Sequence, residues 1–210
     1  MTAQEKETKI SPIYSLISLE DFKSLLGIDD REEKLSRFCL ITATYSIEHY
    51  CKRQLLRKKH FEKIEYIGDL MLPMKEYPVN RMLALYSMNR EPVIENKWEI
   101  LEPDFYQVIP ECGTYEDIPY TLVLSPAIKR YPGILAVKAV YWAGYSQGSV
   151  PPDLASACLE FASWNMNRYR GRRIGMTGNI RGSGKDGEHF ELSMPENIKA
   201  LLEPYRRKVI

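Results

Sequence analysis

The sequence predicts an α+β fold: a small bundle of about four helices with a β-rich insertion between the second and third helices. Two observations predict it. Helical apolar spacing is present near both ends of the 210-residue chain, whereas from Leu56 to Tyr145 short runs of β-forming residues alternate with Pro, Gly and Asn. Helices and strands therefore occupy separate stretches of the chain, which is the pattern of an α+β fold and not of alternating βαβ units.

Composition narrows the class of protein further. Hydrophobic residues make up 44% of the chain, and 29 basic against 28 acidic residues give a net charge of +1. The chain can therefore form a packed core, and its overall charge does not indicate a nucleic-acid partner. The N-terminus is polar, unlike a secretory signal, and no window approaches the roughly 20 apolar residues of a membrane span. We expect a soluble, intracellular protein with no membrane partner.

The residue types that carry catalysis predict neither a metal site nor an enzyme. No two of the four cysteines have CxxC spacing, and the three histidines are scattered along the chain. Gly182-Ser183-Gly184-Lys185 resembles a phosphate-binding loop, but Asn179 and Asp186 stand where such a loop needs Gly and Ser or Thr. We expect no catalytic residue, no metal and no cofactor.

Two helices are predicted before the insertion. Ser18 is a favoured N-cap residue and Gly27 a favoured stop, so the first helix is predicted over about 18–26. The second, over about 30–53, carries apolar residues on two sides, which is typical of a helix packed between neighbours in its own core or, less commonly, in a subunit interface. One row contains Leu35, Phe38, Thr42, Tyr45 and His49, and the other contains Leu40, Ala43, Ile47 and Tyr50.

The insertion, at about 57–145, is predicted to hold six strands. Turn-forming residues separate them, as is typical of an antiparallel arrangement. The last predicted strand has apolar residues on both faces, which indicates a central strand covered on both sides. The predicted strands are 60–66, 81–88, 97–101, 105–109, 121–124 and 134–142.

Two further helices are predicted after the insertion. Pro152 and Asp153 suit the first turn of a helix over about 152–170, and a last helix is predicted over about 195–207, with Pro204 disturbing its end. The chain is thus predicted as one domain over 16–208. Flexible segments are predicted at 1–15 and, because glycine is abundant there, at 171–193.

Six basic residues near the end of the third predicted helix form a cluster with no acidic residue among them. Such a cluster can bind phosphates nonspecifically, dock on an acidic protein surface, or remain a solvated face, and the residues alone leave these alternatives open. The cluster consists of Arg168, Arg170, Arg172, Arg173, Arg181 and Lys185.

A set of short motifs, in a fixed order, resembles one known family. The run Val140-Tyr141-Trp142-Ala143-Gly144-Tyr145 is followed by Val150-Pro151-Pro152-Asp153-Leu154, and the segment from Trp164 to Arg170 at the end of the helix matches an aromatic-x-x-Arg closing element. This combination resembles the siphophage-type head–tail connector proteins of tailed phages, which are also described as head-completion adaptors or DNA packaging proteins. Matching segments lie at 16–26, 50–55, 72–79 and 194–206.

The resemblance implies a structural role without catalysis. Family members assemble as a ring that matches the portal's twelvefold symmetry, and they can be monomers in isolation. The ring extends the channel through which DNA passes and docks the next head-closure or tail protein. The resemblance implies a place in the host cytoplasm during assembly and then in the virion neck.

We assign two kinds of contact on this basis. The cluster from Arg168 to Lys185 is predicted to contact the portal or DNA. The predicted subunit interface contains Tyr45, His49, Phe161 and Trp164. Two alternatives remain, a free DNA-binding protein that uses the basic 168–185 loop and a tail-terminator-type assembly factor.

Overall fold

The computed structural model describes residues 13–66, 70–88, 98–110, 119–126, 135–171 and 194–207. The predicted α+β class is confirmed, with the β-rich insertion between the second and third helices. The helices are α1 (Leu19–Leu26), α2 (Glu33–Cys51), α3 (Pro152–Arg170) and α4 (Glu196–Leu202). The strands are β1 (Lys58–Tyr66), β2 (Met71–Pro73), β3 (Val79–Met88), β4 (Trp98–Leu101), β5 (Tyr106–Pro110), β6 (Pro119–Leu124) and β7 (Leu135–Ala143).

The elements divide into two compact units. The first comprises Met1–Ile47 with Pro151–Leu202, and the second comprises Glu48–Val150 with Glu203–Ile210. The prediction of a single domain over 16–208 stays a prediction. Among the described residues, no helix is long and apolar enough to cross a membrane. Most of the predicted flexible segments, namely 1–12 and 172–193, lie outside the described residues.

In the first unit, α1 begins and ends where its capping residues predict. The Ser18 hydroxyl accepts a hydrogen bond from the Asp21 amide at 3.0 Å, which satisfies one of the free N–H groups of the first turn. Gly27 adopts a left-handed conformation (φ 62°) and its N–H bonds to the Lys23 carbonyl. Phe22 is the buried residue of this short helix.

Helix α2 buries one stripe, not two. The buried positions follow the i, i+3, i+4, i+7 spacing of a single helix face. They are Ser36, Cys39, Leu40, Ala43, Thr44, Ile47, Glu48 and Cys51. Of the two environments left open for the apolar rows, the chain's own core does not hold Phe38 and Tyr45 of the first row, which are 50% and 57% exposed.

Two residues inside the buried stripe carry hydroxyl groups. Ser36 donates to the Glu32 carbonyl at 3.0 Å, and the Thr44 hydroxyl accepts from the Leu16 amide at 3.2 Å. Because both hydroxyls have partners, they can be buried without a large penalty. On the facing helix, Cys158 lies 3.8 Å from the Thr44 hydroxyl. The predominantly apolar buried face of α3, which also packs against α4, completes the core of this unit.

The second unit contains two antiparallel sheets, with strand orders β1-β7-β3-β4 and β2-β6-β5. Strand β7 has a neighbour on each side, so the predicted central strand is confirmed. Strand β2 was not predicted, because three residues that include a proline are too few to show alternation. The core contains Leu72, Met74, Val79, Leu85, Leu122, Leu124, Val137, Ala139, Tyr141 and Ala143.

The C-terminal residues of the second unit are fixed by two arginines. Arg53 donates to the carbonyls of Tyr205 at 2.7 Å and Tyr77 at 2.8 Å, and its guanidinium lies over the Tyr77 ring. Arg207 donates to the Lys75 carbonyl and to Glu76. These bonds attach the chain end to the loop before β3 and to the segment after α2.

Candidate interaction surfaces

The end of α3 is held to the start of α2 by Arg170. Its Nε donates to Glu32 Oε1 at 2.9 Å, and a second guanidinium nitrogen donates to the other carboxylate oxygen. Such a two-pronged pair is the strongest form of ion pair in proteins. The hydrogen bonds from Arg170 lower the pKa of Glu32, and those to Glu32 raise the pKa of Arg170. Arg170 therefore already has an anionic partner within its own unit.

Arg168 is positioned by aromatic rings. Its guanidinium lies 4.6 Å from the centre of the Trp164 ring, and that ring stacks on Phe161 at 5.6 Å. The cation–π contact holds the guanidinium at the surface while leaving its N–H groups available to an acceptor. The other members of the predicted basic cluster, Arg172, Arg173, Arg181 and Lys185, lie outside the described residues.

An aromatic strip lies on the first unit, in which Phe38 and Tyr45 are exposed and Tyr14 and Tyr169 are half-buried. Phe38 meets the Tyr169 ring edge-on at 5.4 Å, and Tyr45 stacks on Tyr14 at 5.2 Å. Exposed aromatic residues are enriched where proteins bind one another. The first apolar row of α2 indicated the part of this surface that contains Phe38 and Tyr45. The positions of Tyr14 and Tyr169 beside them could be found only from the folded structure.

The four residues predicted for the subunit interface have different environments. Tyr45 and His49 are exposed, Trp164 is half-buried, and Phe161 is buried in the core of the first unit. The structure brings Phe161 and Trp164 together and places Tyr45 in the aromatic strip. Their role in a subunit interface stays a prediction.

A shallow groove also opens on the first unit, with a volume of about 580 Å³. Leu26 of α1, Trp164 of α3 and Ile198 of α4 form its apolar part. A hydrogen bond from Asn197 to Glu160 at 3.0 Å joins α4 to α3 along its wall. No hydrogen bond pairs a nucleophile with a base among the described residues that line the groove.

In the second unit, polar groups in and beside the core form hydrogen bonds with one another. The Tyr141 hydroxyl donates to Glu62 at 2.7 Å, and the Lys75 amide donates to the same carboxylate oxygen at 3.1 Å. Burial raises the pKa of Tyr141 and the pKa of Glu76. These contacts connect β1, β7 and the loop before β3, so we assign them a structural role.

Buried thiols are also structural. Burial raises the pKa of Cys39, Cys51 and Cys158 to about 11. Because the thiolate is the nucleophilic and metal-binding form, thiols with so high a pKa are poor nucleophiles at neutral pH.

The outer face of the first sheet is a surface that sequence analysis missed. This face, which we call the outer sheet face, is the side of β1, β7, β3 and β4 away from the core of the second unit. It exposes Phe61 (67%) and Ile100 (66%) among basic side chains. Lys63 of β1 lies directly opposite Lys138 of β7. Alternation within β1 was a sequence signal for it, but the pairing of the two lysines depends on strand register.

Comparison with known proteins gives a match at the level of fold. No family model and no curated protein matches the chain. Among solved structures, a chain in the neck of an empty GTA particle, computed with C6 symmetry, aligns with a TM-score of 0.57 and 19% identity over 91% of this chain and 90% of that chain.

Two further solved structures contain a chain with a similar fold. A chain in the virion of a native gene transfer agent (GTA) particle aligns with a TM-score of 0.55 and 16% identity, over 91% of this chain and 90% of that chain. A chain in the neck of a native GTA particle, computed with C12 symmetry, aligns with a TM-score of 0.50 and 17% identity, over 91% and 89%. The chain therefore has a fold that also occurs in the neck of gene transfer agent particles.

Proposed function

We propose that this chain is a structural assembly protein of a phage or prophage particle, a head–tail connector subunit at the particle neck. The observation that carries the proposal is a fold shared over 91% of the chain with a chain from a GTA particle neck. The order of the sequence motifs from Leu16 to Arg206 also supports this role. This role requires no catalysis.

The strand–turn part of the motif has a structural reason in the second unit. Gly144 has φ 100°, and a Cβ atom there would lie 2.6 Å from the backbone carbon of Leu56. The Gly144 amide bonds to the Pro78 carbonyl, and the Tyr145 amide bonds to the Leu55 carbonyl at 2.7 Å. Only glycine fits a position with this conformation and this close a neighbour. The turn at Gly144 is therefore explained by the fold of the second unit.

In the proposed role, copies of the chain form a ring beneath the portal. The ring extends the DNA channel and docks the next head-closure or tail protein. The C6 and C12 symmetries of the neck structures with this fold support a ring. In a cyclic ring each subunit uses two different patches, one toward each neighbour.

The two units offer surfaces for these contacts. The aromatic strip, with Phe38 and Tyr45 at its centre, is our candidate for the contact between subunits. The basic end of α3, with Arg168 half-buried beside Trp164, is our candidate for the contact with the portal or DNA. Arg170 is a weaker candidate, since Glu32 already neutralises it. Arg172, Arg173, Arg181 and Lys185 remain in the same proposed contact.

Mass measurement in solution tests the proposal. Native mass spectrometry of the purified chain, alone and mixed with the cognate portal, should show a complex in which several copies bind one portal ring. The chain alone can be a monomer in this role. The proposal fails if no copy binds a portal that is itself assembled into a ring.

The tail-terminator alternative also predicts a ring. It differs from the connector role in the partner that the ring binds. A terminator would bind the assembled tail tube and not the portal, so mixing the chain with each in turn distinguishes the two roles. The neck location in the GTA structures supports the connector role.

A further inference from the structure

The outer sheet face is organised in rows that run across the strands. Strand register places Lys59, Trp142 and Arg81 side by side in one row, and the Arg57 guanidinium lies 5.7 Å from the centre of the same Trp142 ring. The next row contains Phe61, Val140 and Ala84, and the third contains Lys63, Lys138, Tyr86 and Ile100. Two basic rows therefore flank an apolar row.

The charge on this face is unbalanced. Four basic residues of the described strand segments lie on it, against the single acidic residue Glu65 of those segments, and Arg57, one residue before β1, adds a fifth. All six side chains are exposed, and none of the basic ones forms an ion pair with another described residue. The basic residues are Arg57, Lys59, Lys63, Arg81 and Lys138. The near-neutral whole chain thus has a strongly positive local surface.

The pair formed by Lys63 and Lys138 is unfavourable in the isolated chain. Like charges directly opposite each other on neighbouring strands destabilise a sheet, since their Cβ atoms are only about 5 Å apart. An anion placed over the pair would remove the repulsion. The arrangement therefore favours a negatively charged partner at this face.

Several features favour a nucleic-acid backbone over a protein as that partner. Lysine is depleted at protein interfaces, and three of the five basic residues are lysines. The two basic rows are four residues apart on β1, or about 13 Å, which is comparable with the about 12 Å width of the DNA major groove. The Trp142 ring lies beneath Arg57 and the Phe61 ring beneath Lys59, and these cation–π contacts hold both charged groups at the surface of the sheet.

We propose that the outer sheet face binds the phosphate backbone of duplex DNA without sequence specificity. The two basic rows contact the phosphates on either side of one groove, and the apolar row with Phe61 lies over the groove between them. The duplex in question is the one that passes through the particle neck, so its identity rests on the proposed function. Binding itself does not require a particle and is tested on the isolated protein.

Fluorescence anisotropy with labelled 24-base-pair duplexes tests the proposal. Two duplexes of unrelated sequence are titrated with the full chain at 20–200 mM NaCl. Both should bind equally, and log Kd should rise with log salt with a slope of about 3–5, because each neutralised phosphate contributes about 0.9. The double variant Lys63→Gln/Lys138→Gln should lower that slope by about 2.

Two matched double variants serve as controls. Arg31→Gln/Lys34→Gln removes the same charge from exposed positions in the first unit and should leave the slope unchanged. Arg172→Gln/Arg173→Gln tests the alternative that the basic loop binds DNA. A loss of binding in the Arg31/Lys34 variant equal to that of the sheet variant overturns the assignment to the outer sheet face. The assignment also fails if binding is lost on replacing Arg172 and Arg173 while the sheet variant binds DNA like the parent.

Two further outcomes also overturn it. One is absence of duplex binding by the parent chain at 20 mM NaCl. The other is a change in the mass of a protein complex, without any change in DNA binding, when Lys63 and Lys138 are replaced, because that result assigns the face to a protein partner. Portal binding is measured separately, so failure of the connector role and failure of the DNA contact are distinguishable.

Discussion

At the scale of single residues, Glu32 and Arg170 link stability to pH. Hydrogen bonds from Arg170 lower the pKa of Glu32 below its ordinary value of 4.5. A carboxyl group with a lowered folded-state pKa contributes stability above its unfolded pKa and loses it as pH falls through the folded pKa. We expect Glu32→Gln to lower Tm by roughly 1–3 °C at pH 7, the effect of an exposed ion pair in a chain of this size.

Thermal unfolding followed by circular dichroism measures this effect. The Tm difference between the parent and Glu32→Gln should shrink as pH falls below 4.5 and disappear once the parent's carboxyl is protonated. A difference that stays constant over that range would mean that the variant acts through packing and not through charge.

Gly144 is a second residue whose environment fixes its identity. A side chain there meets the Leu56 backbone at 2.6 Å, and backbone cannot move aside as a flexible side chain can. We expect Gly144→Ala to destabilise the protein by about 2 kcal/mol or more, measured by urea denaturation. Gly148→Ala is the matched control, since a Cβ atom there meets nothing within 4 Å. Equal stability of the two variants contradicts the explanation.

At the scale of elements, α2 owes its buried stripe to polar residues with partners. Thr44 accepts the amide hydrogen of the buried Leu16. We expect Thr44→Val to cost about 1–3 kcal/mol of unfolding free energy, because it leaves that amide buried without an acceptor. Thr42→Val, at a half-buried position of the same helix, should have little effect in the same denaturation experiment. A similar loss in both variants would indicate a general effect of valine in the helix.

The same helix shows why some features follow from sequence and others do not. The ends of α1 are set by neighbouring residues, Ser18 and Gly27, so local chemistry predicts them. The burial of α2 depends on partners such as Leu16, which lie outside the helix, so apolar spacing alone did not show which of the two rows is buried. Central placement of β7 was predictable because its two faces are both apolar. The Lys63–Lys138 pair was not, because register depends on two distant strands.

At the scale of the whole molecule, the proposed ring should depend on the exposed aromatic strip. We expect Phe38→Ser/Tyr45→Ser to leave the monomer folded, because both side chains are at least half exposed, and to reduce the number of copies bound per portal. Native mass spectrometry with the portal measures that number. Met71→Ser/Ile100→Ser, which removes exposed apolar side chains from the second unit, is the control. Unchanged stoichiometry in the strip variant would place the subunit contact elsewhere.

The paired lysines of the outer sheet face also affect which symmetric assemblies the chain can form. A two-fold dimer formed through this face would set Lys63 and Lys138 of one copy against the same patch of its partner, because an isologous contact brings identical surfaces together. Four ammonium groups would then meet with one glutamate from each copy to balance them. This repulsion disfavours two-fold dimers through the outer sheet face. Such dimers would lower the concentration of free subunits. Free copies remain available for a cyclic assembly, in which unlike surfaces meet.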